Sequence, residues 1–126
     1  MQHVFVIDQK KQPLKQGDNQ RRFFEGVWMH KYEGTYYLSY STGDTHFLSY
    51  ATGDNPYGPF TFRGHFLLPP QGWTSHHSIV DWNGKTWLFY ADNQLSGKNQ
   101  LRNVKVTELH FNSDGTIQQI DPFLGD

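Results

Sequence analysis

At 126 residues, with 11 Lys plus Arg against 12 Asp plus Glu and no cysteine, the chain has length for one modest domain. A formal net charge of -1 excludes the basic field that draws a protein to nucleic acid or an anionic membrane, and the missing thiols exclude disulfides, thiolate zinc sites and cysteine nucleophiles. Aromatic residues reach 17% while the hydrophobic total is only 36%, so the apolar mass lies in Phe, Tyr and Trp, which points to an all-β protein with carbohydrate or interface chemistry.

In chain order, residues 3–7 predict a short strand, followed by the polar connection DQKKQPLKQGDNQRR with Pro13 and Gly17 as breakers. Strands are predicted over 27–32, 35–41 and 46–51, separated by Glu33-Gly34 and by Gly43-Asp44, a meander of tight turns. The turn-dense GDNPYGPF leads into a strand over 60–63. The second half repeats the scheme, with strands over 78–82 and 86–91 about the turn Asn83-Gly84, a polar loop DNQLSGKNQ, and strands over 101–111 and 116–120 about NSDG. No run approaches the ~20 apolar residues of a membrane-spanning helix. Met1 leads into QHVFVIDQ rather than a basic and then apolar leader, so the sequence carries no visible address and leaves localisation open.

A shift of 50 residues lays VWMHKYEGTYYLSY on HSIVDWNGKTWLFY: Gly34 meets Gly84, Leu38 meets Leu88, Tyr40 meets Tyr90, and Tyr32 and Tyr37 meet Trp82 and Trp87. Matches at the turn and at alternating strand positions are what a common hairpin needs. A period near 50 with about four strands per unit fits a β-propeller blade; two hairpins of a β-sandwich sharing turn chemistry is the other reading. In a propeller, Glu25 of RRFFEGVWMHK and His76 of SHHS each immediately precede the first strand of their repeat and point toward the axis, one residue out of register with one another. A strand-start carboxylate is otherwise a solvated surface charge.

RFFEGVWMHKYEGTYYLSYSTGDTH, YATGDNPYGPF, GWTSHHSIV and LRNVKVTELHFNSDGTI, in this order and spacing, closely resemble the C-terminal part of the catalytic domain of glycoside hydrolase family 43, the β-xylosidases, α-L-arabinofuranosidases and arabinanases. The resemblance implies about two blades of a five-bladed propeller, residues 1–126 forming a partial domain without its N-terminal blades. It also implies cleavage of pentose glycosides in xylan- or arabinan-type oligo- or polysaccharides, with inversion. Glu25-Gly26 matches the family's Glu-Gly-Pro motif, with Val27 in place of Pro, which makes Glu25 the general acid; the general base and the Asp that tunes the acid come from earlier blades, so the isolated chain is expected to be inactive.

By the same resemblance Arg102 faces the sugar of the cleavage subsite, where a guanidinium holds hydroxyls through fixed donors; a cross-strand salt bridge is its structural alternative. The resemblance also implies that His76 lies at the pocket floor, where a calcium ion, if bound in the channel, would be reached through waters, since calcium prefers oxygen ligands; no cofactor is required. Trp28 and Trp73 are candidates to stack on a sugar, although Trp in a β-rich core is mostly packing. His30, Asp44 and His46 read as a polar cluster beside the Ser-Thr-Gly-Asp turn, without a role. Two further readings remain: a non-catalytic carbohydrate-binding module, and a structural half-propeller whose open edges associate with the missing blades or a second chain.

Overall fold

The computed structural model describes residues 1–123, and its secondary structure is eight strands with no helix among the described residues: β1 (Val6–Ile7), β2 (Phe23–Tyr32), β3 (Thr35–Thr42), β4 (Leu48–Gly53), β5 (Phe60–Leu67), β6 (Ser78–Trp82), β7 (Lys85–Asp92) and β8 (Asn103–Leu109). Strands β2 to β5 form an antiparallel meander, with β1 added parallel to β5 at the far edge, and β6 to β8 form a second meander. These are the two blades that the period of 50 predicts, laid face to face.

Both repeats open on the same hairpin. Glu33 and Gly34 have φ of 47° and 82°, Asn83 and Gly84 have 54° and 77°, and the flanking residues pair as Tyr32 with Thr35 and Trp82 with Lys85. Two successive left-handed residues give the two-residue turn whose twist matches that of the strands. A Cβ at position 84 would touch nothing within 4 Å, so Gly84→Ala tests the backbone conformation alone. It should cost about 1 kcal/mol, read as a lower urea midpoint at unchanged slope.

The core lies between the blades: Tyr37, Leu48, Tyr50 and Phe66 of the first meet Ile79, Leu88, Tyr90 and Leu109 of the second. Two of its phenols find backbone partners, Tyr37 donating to the Gly115 carbonyl at 2.6 Å and Tyr50 accepting the Ile117 N–H at 3.0 Å. A chain whose apolar mass is aromatic can therefore still satisfy its buried hydroxyls.

Repeat-related residues differ in burial according to whether a neighbouring blade covers them. Tyr37, facing the second blade, is fully buried, while its counterpart Trp87 shares the outer face of the second blade with the exposed Val80, Phe89, Val104 and Val106. Leu88, facing the first blade, is 0% exposed, while its counterpart Leu38 lines an open groove of about 640 Å³ with Phe5, Leu14, Phe23, Val27 and Met29. Opposite faces of the pair thus carry apolar rows that a further blade would cover.

Several predicted boundaries move. Strand β2 begins at Phe23 rather than 27 because a bulge lets the chain stay paired through Glu25, and β4 begins at Leu48 rather than 46 because His46, at φ 57°, belongs to the turn. Strand β5 runs on to Leu67, whereas β8 is shorter than predicted. The strand predicted over 116–120 is not formed: Phe111 bridges Ile117, and Ile120 spends its backbone groups on Phe66 and Leu68, tying the second blade to the end of the first.

Candidate functional site

Strand β2 is one edge of the first sheet and β6 one edge of the second, and these two edges approach each other, as the innermost strands of adjacent blades do. Glu25 lies within β2, not before it as the sequence predicts. It pairs with Ser41, with a register shift on either side and Gly26 at φ 70° next to it. A bulge re-aims a side chain and sharpens local twist, and glycine supplies the positive φ.

The bulge brings the Glu25 carboxylate to His76: Oε1 lies 3.4 Å from Nε2, with the two side chains 37% and 68% exposed. His76 precedes β6 by two residues and is held at φ 42°, a conformation that costs a non-glycine residue of order 1 to 3 kcal/mol and marks an over-determined loop. Three hydrogen bonds supply the constraint on residues 71–77: Ala91 N–H to the Ser75 carbonyl at 2.7 Å, Asn93 N–H to Gln71 at 3.0 Å, and Arg102 Nη1 to Thr74 at 2.5 Å.

Arg102 makes no salt bridge among the described residues. Its guanidinium grips the carbonyls of Thr74 and Asn99, the latter through Nε at 3.1 Å, and holds the loop that carries Trp73 and His76. Trp73 is 54% exposed and its ring centroid lies 4.5 Å from that of His46, while Trp28 is 37% exposed on β2.

Behind the Glu25–His76 pair lies a histidine layer that the sequence reading missed. His77 is buried, its Nε2 2.7 Å from Ser39 Oγ across the two blades. His30, predicted to join Asp44 and His46 near the turn, instead stacks on Tyr37 at 4.7 Å, with Phe111 on its other side at 6.0 Å, and neither of its ring nitrogens has a partner. The correction follows from alternation along β2, which sends His30 to the interblade face with Tyr37. Burial depresses both imidazoles to about 4; the neighbouring His30 and His76 add to the effect at His77, and Asp81 opposes it at His30. A His-His doublet at a strand start, one ring exposed and one buried, was the available signal.

Two blades arranged about such an edge are a portion of a β-propeller. No protein-family model matches the chain. It is 57% identical over 119 residues to a xylosidase/arabinosidase of Bacteroides ovatus, covering 94% of this chain and 37% of that protein, and 56% identical over 115 residues to xylosidase/arabinosidase 43A of Humicola insolens, covering 90% and 35%. Among solved structures it superposes with a TM-score of 0.94 and 60% identity on a family 43 β-xylosidase/α-arabinofuranosidase from a compost metagenome, in complex with xylotriose and in calcium-free form, covering 98% of this chain and 38% of that one. A family 43 enzyme of Xanthomonas citri complexed with xylose gives 0.93 and 50%, with the same coverage. The chain belongs to glycoside hydrolase family 43, and it spans a little over a third of the length of these relatives.

Proposed function

We propose that this chain supplies the proton-donating part of a pentose-cleaving, inverting glycosidase, with Glu25 as general acid. The observation that carries the reading is the Glu25–His76 contact at the converging inner edges of two blades, a carboxylate held at a bulge rather than on the outer rim. An inverting hydrolase needs a second carboxylate roughly 6.5 to 9.5 Å from the acid to activate water. In this reading the base comes from further blades seated on the two uncovered apolar faces, and the isolated chain is inactive. The substrate is a pentose-containing oligo- or polysaccharide, in line with the xylose and xylotriose held by similar enzymes. Trp28 and Trp73 offer ring faces to the sugar. Arg102 fixes the loop that bears His76 through Nε and Nη1, and its remaining N–H donors are turned to the sugar.

Calcium is a separate matter. Among the described residues no group of three or more His, Asp or Glu could hold an ion, and calcium takes 6 to 8 oxygen ligands. The residues of this chain do not fit a calcium site by themselves. A role for His76 toward the ion is confined to contact through water.

The test is complementation. The chain is co-produced with the part of the Bacteroides ovatus xylosidase/arabinosidase that it does not match, and release of xylose and arabinose from aryl glycosides is measured. A stable complex with hydrolysis supports the proposal; a stable complex without hydrolysis of either pentoside contradicts it.

A further inference from the structure

We infer that this chain, by itself, binds further copies of itself head to tail, the outer face of β6–β8 on one copy seating on the groove beside β2 of the next. The inference concerns the chain alone and does not rest on the role of Glu25. The faces are those that further blades take in the proposed enzyme, and a second copy carries blades of the same kind.

The two open faces reproduce the two halves of a contact that is already buried inside the chain. Strands β3 and β7 are equivalent at the shift of 50, and their pairing carries the equivalence to the strands on either side. His30 pairs with Tyr37 as Val80 pairs with Trp87; Tyr50 pairs with Ser39 as Val106 pairs with Phe89; Leu48 pairs with Ser41 as Val104 pairs with Ala91. The longer loop before β8 hides this last correspondence in the sequence. Tyr50 and Leu48, covered by the second blade, are 2% and 0% exposed, whereas Val106 and Val104 in the matching places are 54% and 75% exposed. The other half recurs in the same way. Ile79 pairs with Leu88 and both are sealed against the first blade, while Met29 pairs with Leu38 in the matching places and both line the open groove.

Each copy therefore presents both partners of a packing that its own two blades already make, in the register that makes it. That continuity singles out a second copy as the occupant. The chemistry of the faces agrees, since a contiguous apolar surface in water gains most by meeting another. Glu108 lies on the β6–β8 face opposite Trp87 but is already met by Lys85 at 3.8 Å, so docking buries no unmatched carboxylate. Because the two faces differ and stand on opposite sides of the blade pair, the contact is heterologous: a copy that joins leaves a fresh face free, and association closes into a ring or runs on.

The experiment uses the unaltered chain and two face variants, each checked for its fold by circular dichroism and its urea midpoint. Sedimentation velocity at micromolar concentration should give the unaltered chain a mass at least twice its 14.7 kDa. Val106→Lys on one face and Met29→Lys on the other should each sediment as a single chain, a buried ammonium weakening the contact by at least about tenfold. Val27→Lys, also on the groove and 54% exposed, takes the place of Met29→Lys if that variant loses its urea transition. Mixed in equal amounts at the same total concentration, the two variants should form a one-to-one dimer that grows no further, because each keeps the face that the other has lost. A single-chain mass for the unaltered protein overturns the inference, as does association retained by a folded variant of either face. A mixture that stays dissociated overturns the head-to-tail arrangement. The complementation experiment reads hydrolysis and judges Glu25 separately.

Discussion

At pH 4.5 the chain should unfold at a markedly lower denaturant concentration than at pH 7, because two imidazoles sealed between the blades must take up protons that the fold excludes. His30 and His77 are held at about 4, against an ordinary value of 6.5, burial being the main cause in each. A depressed imidazole means that the unfolded chain binds more protons than the folded one between those two values. The contribution of each ring is therefore complete above about pH 6.5, falls as the pH drops through the interval, and is gone below about 4. Each ring accounts for about 3 kcal/mol at most, a large share of the 5 to 15 kcal/mol that holds a domain together. The groups facing them are few: Asp81 opposes the shift at His30, and His30 and then His76 reinforce it at His77. His30→Phe keeps a ring on Tyr37 and removes one titrating group, so it should flatten the pH dependence of the urea midpoint by about half. An unchanged slope in that variant would remove His30 from the account.

The second large effect concerns Glu25. In the complemented enzyme, Glu25→Gln should lower the hydrolysis of an unactivated pentoside by about 10² to 10⁴, the usual worth of general acid help, with little change in KM. The amide preserves size and can still accept a hydrogen bond from His76, but it has no proton to give the leaving oxygen. Loss of binding without loss of turnover would instead assign Glu25 to holding the sugar.

Much of this architecture could be read from the residues. Glu33-Gly34 and Asn83-Gly84 announce two identical hairpins, and the aromatic and leucine matches at a shift of 50 announce that the hairpins repeat as blades. What escaped depends on contacts that no local pattern encodes. The bulge at Glu25 is visible only once β2 is paired with β3, since FFEGV reads as well as a connection as a strand. Tyr37 and Trp87 occupy equivalent positions, yet one is buried and the other is not, because burial is set by the neighbouring blade rather than by the residue. His30 reads in the sequence as part of a polar cluster with Asp44 and His46 beside the Ser-Thr-Gly-Asp turn, whereas strand alternation sends it to the interblade face with Tyr37. Arg102 offered a reading as a sugar ligand through its motif, and its grip on the Thr74 carbonyl depends on a loop 28 residues away.

The Glu25–His76 pair and the loop anchored by Arg102 are complete within 126 residues, while the faces at Val106 and at Leu38 remain uncovered. If Glu25 is the general acid, as proposed, the base that accepts the water proton must stand on whatever covers those faces.

The most direct measurement compares two leaving groups in the complemented enzyme. Glu25→Gln is assayed on xylobiose, whose departing oxygen needs a proton, and on a dinitrophenyl xyloside, whose departing phenolate does not. A proton donor at the axis predicts that xylobiose cleavage collapses while the activated xyloside is cleaved at close to the unsubstituted rate. Equal losses on both substrates, or none on either, would show that the carboxylate at position 25 is not delivering that proton.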